Sequence, residues 1–151
     1  MPELPDAVFT EIDRLSAEGN QLADNGNREK ALERFQSAWN LLPEPRESWS
    51  AGLWLLASIG DMQFQLGQFA DGRQTFMTAM KFFDEAAGNP FLRLRLGQCL
   101  YETGNQQEAA NWLAGAYLLE GMKLFEGEDR KYIQFIKPQL DPPPGGWPKG
   151  W

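Results

Sequence analysis

Apolar positions along the chain fall into segments of helical length, separated by short breaks that carry glycine or proline. Residues 93–117, RLRLGQCLYETGNQQEAANWLAGAY, show the pattern: an apolar helix, a glycine break and a second helix. Because glycine and proline commonly end helices, the breaks mark the helix boundaries. The pattern predicts an all-α fold with helices at 4–24, 27–42, 46–66, 69–86, 90–103 and 106–121, and a seventh near 129–137.

Small and large residues recur at fixed places in three successive helix pairs. Each copy begins with a glycine, which is followed seven residues later by a second one. The first glycine lets two helices approach closely, the second permits a left-handed turn at the helix end, and a later large residue fills the space between the helices. The repeated positions are Gly19, Gly60 and Gly97, then Gly26, Gly67 and Gly104, then Ala31, Gly72 and Ala109, then Phe35, Phe76 and Leu113, and finally Ala38, Ala79 and Ala116.

This spacing resembles the tetratricopeptide repeat (TPR), and EGNQLADNGNREKALERFQSAWNLLP, which ends at Pro43, is the clearest copy. The resemblance implies a right-handed TPR solenoid of three helix-turn-helix repeats. The copies are 41 and 37 residues apart, against about 34 in that family. We therefore expect the additional residues between the repeats, around PEPRESWSAG and KFFDEAAGNP.

The sequence of the last part of the chain predicts a capping helix followed by a tail. In RKYIQFIK, Tyr132, Ile133, Phe135 and Ile136 would form a buried face that closes the apolar end of the repeats, and Asp129 would be its N-cap. The segment that follows is too rich in proline and glycine to be helical. It is either a loose tail or, through Trp147 and Trp151, docked on the helices or on a partner. The predicted domains are a TPR-like helical domain, 1–138, and a Pro/Gly/Trp-rich tail, 139–151.

The amino-acid composition excludes several kinds of active site. The chain has no histidine and one cysteine, Cys99, which excludes histidine-dependent nucleophiles, Cys/His zinc sites and an internal disulfide. A carboxylate pair or carboxylate metal site stays open, but no dense acidic motif supports one. A net charge of −7 opposes nucleic acid and anionic membranes and favours a basic partner. We expect a cytoplasmic protein that is not an enzyme and has no cofactor or metal.

In the TPR family the first helix of each pair lines a concave face, and the resemblance assigns inward positions by their distance from the first glycine. The first copy supplies Ser16, Asn20, Ala23 and Asp24, and the later copies add aromatic and acidic residues. Phe64, Phe91 and Leu94 could equally be core. Cys99 is expected to be a core residue rather than a reactive thiol, and Trp39 and Trp112 to be packing residues. The predicted partner-binding residues are Trp54, Asp61, Phe64, Gln65, Phe91, Gln98, Tyr101 and Glu102.

Several functions are compatible with such a surface. Binding of a chaperone's C-terminal carboxylate is disfavoured, since Asn20 matches that class but Asp61 and Ala57 stand where cationic or amide groups help. LLASIGDMQFQLGQF, GNPFLRLRLGQC and LFEGEDRKYIQFI look like a small bacterial TPR family of polymorphic toxin loci, which implies an immunity protein that neutralises a cognate toxin domain. The alternative is a TPR-type secretion chaperone that binds an extended effector segment.

Overall fold

The computed structural model describes residues 4–151, and all the regular secondary structure in that range is helical. The all-α prediction is confirmed, and all seven predicted helices are present. The helices are α1 Asp6–Asp24, α2 Arg28–Leu41, α3 Ser50–Gln65, α4 Phe69–Phe82, α5 Pro90–Glu102, α6 Gln106–Glu120 and α7 Arg130–Ile136. Among these residues, no helix is both long and apolar enough to cross a membrane.

Each of the pairs α1–α2, α3–α4 and α5–α6 forms a hairpin that turns on a glycine. The turn residues Gly26, Gly67 and Gly104 have φ angles of +80°, +77° and +84°. Side chains other than glycine rarely adopt this conformation, which explains why glycine ends the first helix of every pair. In the first turn the Asn27 amide reaches back to the Leu22 carbonyl at 2.8 Å, satisfying one of the orphan carbonyls of the helix end.

The first glycine of each copy marks the place where the two helices of a hairpin touch. A Cβ atom added to Gly60 would lie 2.5 Å from the ring of Phe76. The same atom on Gly19 would lie 2.7 Å from Phe35, and on Gly97 it would lie 2.7 Å from Leu113. The large residue of each copy therefore fills the space that the missing side chain leaves, as the spacing predicted.

The additional residues between the repeats form short 3-10 turns, at Arg46–Ser48 and Asp84–Gly88. As a result α3 begins four residues later than predicted and α4 ends four residues earlier. Before α3, Trp49 has an extended backbone, and its indole Nε1 donates a hydrogen bond of 2.8 Å to the Pro43 carbonyl. Before α5, the side chain of Asn89 accepts a hydrogen bond from the amide of Leu92 at 3.1 Å and so caps the start of the helix.

The chain divides into two compact units, Met1–Asp84 and Glu85–Trp151. The first contains α1 to α4, and Trp39 packs against both of its apolar clusters, in agreement with the core role considered for it. The prediction of one domain over 1–138 stays a prediction. One cluster consists of Ile12, Leu15, Ala38, Leu42, Ala51 and Leu55, and the other of Ala31, Leu32, Phe35, Ile59 and Met62.

In the second unit the tail docks on α6 and α7. Trp147 lies 5.8 Å from the ring of Tyr117, measured between ring centroids, and the Lys137 ammonium lies 5.3 Å from the Trp147 ring. The guanidinium of Arg130 stacks 3.9 Å from the centre of the Trp151 ring. Lys137 also donates to the Trp151 carbonyl. The tail is thus held by cation-aromatic contacts to its own unit.

Candidate functional site

The first unit has an open cleft between the inward faces of α1 and α3, with a volume of about 280 Å³. We call it the α1–α3 cleft. Its polar lining comes from Asn20 and Asp24 on α1 and from Ser58, Asp61 and Gln65 on α3. Ala23, Phe35 and Met62 complete the lining with apolar atoms. Five of these residues, Asn20, Ala23, Asp24, Asp61 and Gln65, occupy positions that the sequence assigned to the inward face.

Trp54 lies on the same side of α3 as the cleft. Residues 54, 58, 61 and 65 are three or four positions apart, so they form one stripe along the helix. The Ser58 hydroxyl donates to the Trp54 carbonyl at 2.9 Å and stays close to the helix. Trp54 is 42% exposed, a large value for an indole. The stripe therefore presents an accessible aromatic side chain next to a polar cleft.

A chain of hydrogen bonds orders the polar end of the cleft. The amide nitrogen of Gln65 donates to Asp61 Oδ2 at 3.0 Å. The amide oxygen of Gln65 accepts from Arg28 Nε at 2.6 Å. Because Gln65 uses both ends of its amide, its orientation is fixed by its bonds to Asp61 and Arg28.

The inward face of α5 differs, because α7 and the loop before it cover it within the second unit. The ring of Tyr101 packs edge-to-face on Tyr132 and Phe135, with centroid distances of 5.4 and 5.0 Å. The Arg95 guanidinium lies 5.0 Å from the ring centre of Phe91. The predicted contact residues of α5 thus contact residues of their own chain.

The prediction of Gln98 as a contact residue has to be corrected, because its side chain is completely buried. Its amide nitrogen donates to Glu128 Oε1 at 2.7 Å, and its amide oxygen accepts from Arg95 Nη1 at 2.8 Å. Arg95 also forms a salt bridge of 2.6 Å with Glu128. The three side chains form a buried polar network that fastens the loop before α7 to α5. A buried amide needs both partners, which accounts for a polar residue at this position.

Glu102 is the acidic residue of the α5 face that α7 covers. It accepts a hydrogen bond of 2.9 Å from the Tyr132 hydroxyl and pairs with the Lys131 ammonium at 2.5 Å. Burial raises the pKa of the Tyr132 phenol well above its usual value, and the hydrogen bond to the Glu102 carboxylate adds to the shift. The hydrogen bond to Glu102 also raises the pKa of Lys131. Glu102 therefore carries two bonds to α7.

The remaining predicted residues divide between the units. Phe64 packs edge-to-face on Phe69 at 5.6 Å, so its ring contacts the neighbouring helix of its own hairpin. Phe91 is partly buried against Arg95. Cys99 and Leu94 are buried, in agreement with the core role considered for both. The acidic run before α7 also behaves as expected at Asp129, which caps the helix by accepting from the Lys131 amide at 2.9 Å.

Sequence reasoning placed Asn20 and Asp24 inward but left both out of the predicted site. Ser58 was missed altogether, although its spacing of four residues from Trp54 could have indicated it. Within residues 4–151, no group of three or more His, Cys, Asp or Glu side chains is arranged to hold a metal ion. The cleft offers hydrogen-bonding and charged groups next to apolar atoms, which suits recognition of a side chain.

The fold matches TPR domains of known structure. The TPR domain of Arabidopsis OM64 superimposes with a TM-score of 0.67 and 16% sequence identity, covering 88% of this chain and 99% of that one. PcrH from Pseudomonas aeruginosa gives a TM-score of 0.64 and 14% identity over 90% of this chain and 94% of its own. The Yersinia enterocolitica type III secretion chaperone SycD, in complex with a peptide of the translocator YopD, gives 0.63 and 16% over 84% and 90%.

At these identities the likeness establishes the TPR fold of three helix pairs, which the spacing of the small residues had predicted. No protein-family model and no curated protein sequence matches the chain.

Proposed function

We propose that the chain is a protein-binding scaffold, located in the cytoplasm, whose contact surface is the inward face of α1 and α3. The observation that carries the proposal is the α1–α3 cleft with the exposed Trp54 beside it. Aromatic side chains with polar neighbours are typical of interface centres. The corresponding side chains of α5 are engaged by α7, so they are of secondary importance for a partner.

The form of partner that we favour is an extended segment of another protein, held as a secretion chaperone holds its client. This was the alternative at the level of the sequence. Two observations favour it: the cleft is narrow enough for single side chains, and SycD, which shares the fold, was determined in complex with a peptide. This role is chaperone-like, because the chain would bind its partner and leave it chemically unchanged.

Neutralisation of a cognate toxin domain is the second candidate. It is favoured by the resemblance of residues 50 to 137 to small bacterial TPR immunity proteins, and by large apolar side chains that lie exposed outside the cleft. Met77, Phe82, Leu118 and Leu119 are all more than two fifths exposed. A folded toxin domain could bury exposed apolar side chains of either unit, whereas an extended segment in the cleft would not.

A titration against the product of the adjacent gene separates the two candidates. The full chain is titrated with the folded partner and, separately, with short peptides that tile the partner's sequence. An extended client gives binding to one or a few peptides. A toxin gives binding to the folded domain at roughly nanomolar strength and none to the peptides.

The same titration tests the surface. Trp54→Ala is expected to weaken binding by about 2 kcal/mol or more, because aromatic anchors commonly contribute that much. When the partner is an extended segment, the matched control is Phe82→Ala, which removes an aromatic side chain of similar exposure from α4. Equal losses of affinity in the two variants would contradict the assignment of the contact surface to the inward face. An unchanged affinity in both variants would contradict it as well.

A further inference from the structure

We propose that two copies of the chain associate by exchanging their tails, residues 139–151. In the structure the tail is bound within its own chain, by three side chains of the second unit. These are Tyr117 on α6, Arg130 on α7 and Lys137 directly after α7, and we call them the tail-binding surface. The proposal concerns this surface alone and is independent of the binding proposed for the α1–α3 cleft.

Contacts outside the tail hold the tail-binding surface in shape. The Arg130 guanidinium donates to the Phe125 carbonyl at 3.1 Å, and the ring of Tyr117 lies 6.3 Å from the Phe125 ring, measured between centroids. Phe125 is only 1% exposed, so it is a fixed part of the core. Because these contacts lie within residues 117–130, they position Tyr117 and Arg130 without the tail. The surface is therefore able to bind an equivalent segment from another chain.

The tail itself is attached at few points. The rings of Trp147 and Trp151 supply the aromatic contacts, and the main chain of Trp151 accepts a hydrogen bond from the Lys137 ammonium. In residues 141–146, which connect these points to α7, every residue except Pro143 is exposed. Cation-aromatic contacts near the surface are individually weak. The tail is thus held by contacts that it can leave and form again.

The connecting residues contain a turn that can open. They return towards their starting point, since the ammonium of Lys137 lies 5.3 Å from the ring of Trp147. Gly145 and Gly146 take part in this reversal with φ angles of +86° and +84°, and the Gly146 amide donates to the Pro143 carbonyl at 2.8 Å. Glycine adopts negative φ angles as readily, and the three prolines before the turn favour an extended chain. An opened turn would carry both tryptophans away from their own unit.

A second copy is the occupant that the sequence itself supplies. It carries the same two tryptophans at the same spacing, so its tail can make every contact that the tail makes within one chain. The exchange is reciprocal, which fills both surfaces and ends association at two copies. The tail-binding surface also adjoins Leu118 and Leu119 of α6, which are 78% and 53% exposed and which a second copy could cover.

The first test is the binding of a synthetic peptide of residues 140–151 to the full chain. The acceptor is the double variant Trp147→Ala, Trp151→Ala, whose own tail has lost the rings that occupy the surface. We expect a sub-millimolar dissociation constant, and about tenfold weaker binding to the parent chain, because a tethered tail competes at millimolar effective concentration. The peptide with both tryptophans replaced by alanine should not bind. Circular dichroism verifies the fold, and Trp151→Ala alone serves if the double variant is unfolded.

The second test mixes the tryptophan variant with the double variant Arg130→Gln, Lys137→Gln, which keeps its tail but has a defective surface. Sedimentation equilibrium is measured near physiological ionic strength, because the charge of −7 on each copy opposes association at low salt. Each variant alone should stay monomeric. We expect the equimolar mixture to form a one-to-one complex, and to do so at lower concentration than the parent chain dimerises, since neither variant contains an internal competitor.

The matched control for the surface variant is Lys123→Gln, Lys149→Gln, which removes two exposed lysines of the same unit. It should dimerise as the parent chain does, in the millimolar range of concentration.

Three results would overturn the proposal. The first is a peptide that does not bind the folded tryptophan variant. The second is a peptide that binds while the parent chain and the mixture both stay monomeric, because the surface would then not accept the tail of a second copy. The third is dimerisation of equal strength in the parent chain and in both variants, since another surface would then form the dimer. Failure of the α1–α3 cleft to bind any segment would leave the exchange of tails unaffected.

Discussion

At the scale of single residues, the first glycine of each hairpin is a position where one methyl group decides the packing. Gly60 is inside α3, so alanine would gain up to about 1 kcal/mol in helix propensity. Its Cβ would lie 2.5 Å from the Phe76 ring, however, and overpacking of this kind costs about 1–3 kcal/mol. We expect Gly60→Ala to lower the free energy of unfolding in urea denaturation, whereas Gly88→Ala, which meets no atom within 4 Å, should change it little.

The sign of the change in stability for Gly60→Ala shows whether helix propensity or packing is the larger effect. An increase in stability for Gly60→Ala would mean that propensity outweighs the contact with Phe76, and that the hairpin is less tightly packed than the distances indicate. The glycine positions themselves could be found in the sequence because each copy repeats them. The partner ring could be found for the same reason, since it stands at a constant distance along the chain.

Tyr132 is expected to make stability depend on pH in the alkaline range. Its pKa in the folded chain is raised, by burial and by Glu102, above the value of about 10 of an unfolded chain. A raised folded-state pKa contributes stability that is fully present below about pH 10 and is lost as the pH rises further. We expect the urea midpoint to stay level between about pH 8 and pH 10 and to fall above about pH 10.

Replacement by phenylalanine tests this origin. Tyr132→Phe should flatten the alkaline decline, whereas Tyr117→Phe, which removes a hydroxyl elsewhere in the same unit, should leave it in place. An unchanged slope in Tyr132→Phe would mean that other groups, such as the lysines, cause the decline.

At the scale of elements, α7 changes what the residues of α5 do. The sequence pattern identifies the inward face of α5 but says nothing of what covers it, because the contacts join residues about 30 positions apart. The sequence predicts Tyr101 to be a partner-binding residue. Since its ring packs on Tyr132 and Phe135, we now expect Tyr101→Ala to lower the free energy of unfolding by about 1–3 kcal/mol.

The comparison is with Trp54→Ala, whose side chain is far more exposed and should cost less than about 0.5 kcal/mol in the same thermal or urea denaturation. Equal stability losses in the two variants would place Trp54 in the core as well, and would weaken its role in binding.

The tail is the second element whose placement could not be taken from the sequence. Proline and glycine exclude a helix there, but the pairing of Trp151 with Arg130 and of Trp147 with Tyr117 depends on how the chain folds back. Exposed cation-aromatic contacts contribute about 0.5–1 kcal/mol each. We expect removal of residues 140–151 to leave the far-ultraviolet circular dichroism per molecule nearly unchanged and to lower stability by about 1–3 kcal/mol. Loss of the helical signal would show that the tail is part of the core.

At the scale of the whole molecule, the net charge of −7 acts on association more than on the fold. A cationic peptide should therefore bind with an association rate that falls as salt screens the charges, while the dissociation rate changes less. Stopped-flow measurements at several salt concentrations check this. An association rate that is independent of salt would mean that the overall charge does not steer the encounter.

The α7 cap also bears on how copies of the chain could associate. A helical repeat presents at its end the same kind of apolar surface that it presents to its neighbour, so an open end invites a second copy and, in turn, a growing polymer. The seven residues of α7 bury Tyr132, Ile133 and Ile136 and leave Lys131 and Gln134 exposed. Polar residues now face outward where an apolar hairpin surface would otherwise be. We therefore expect the short helix to oppose end-to-end association between copies of the chain.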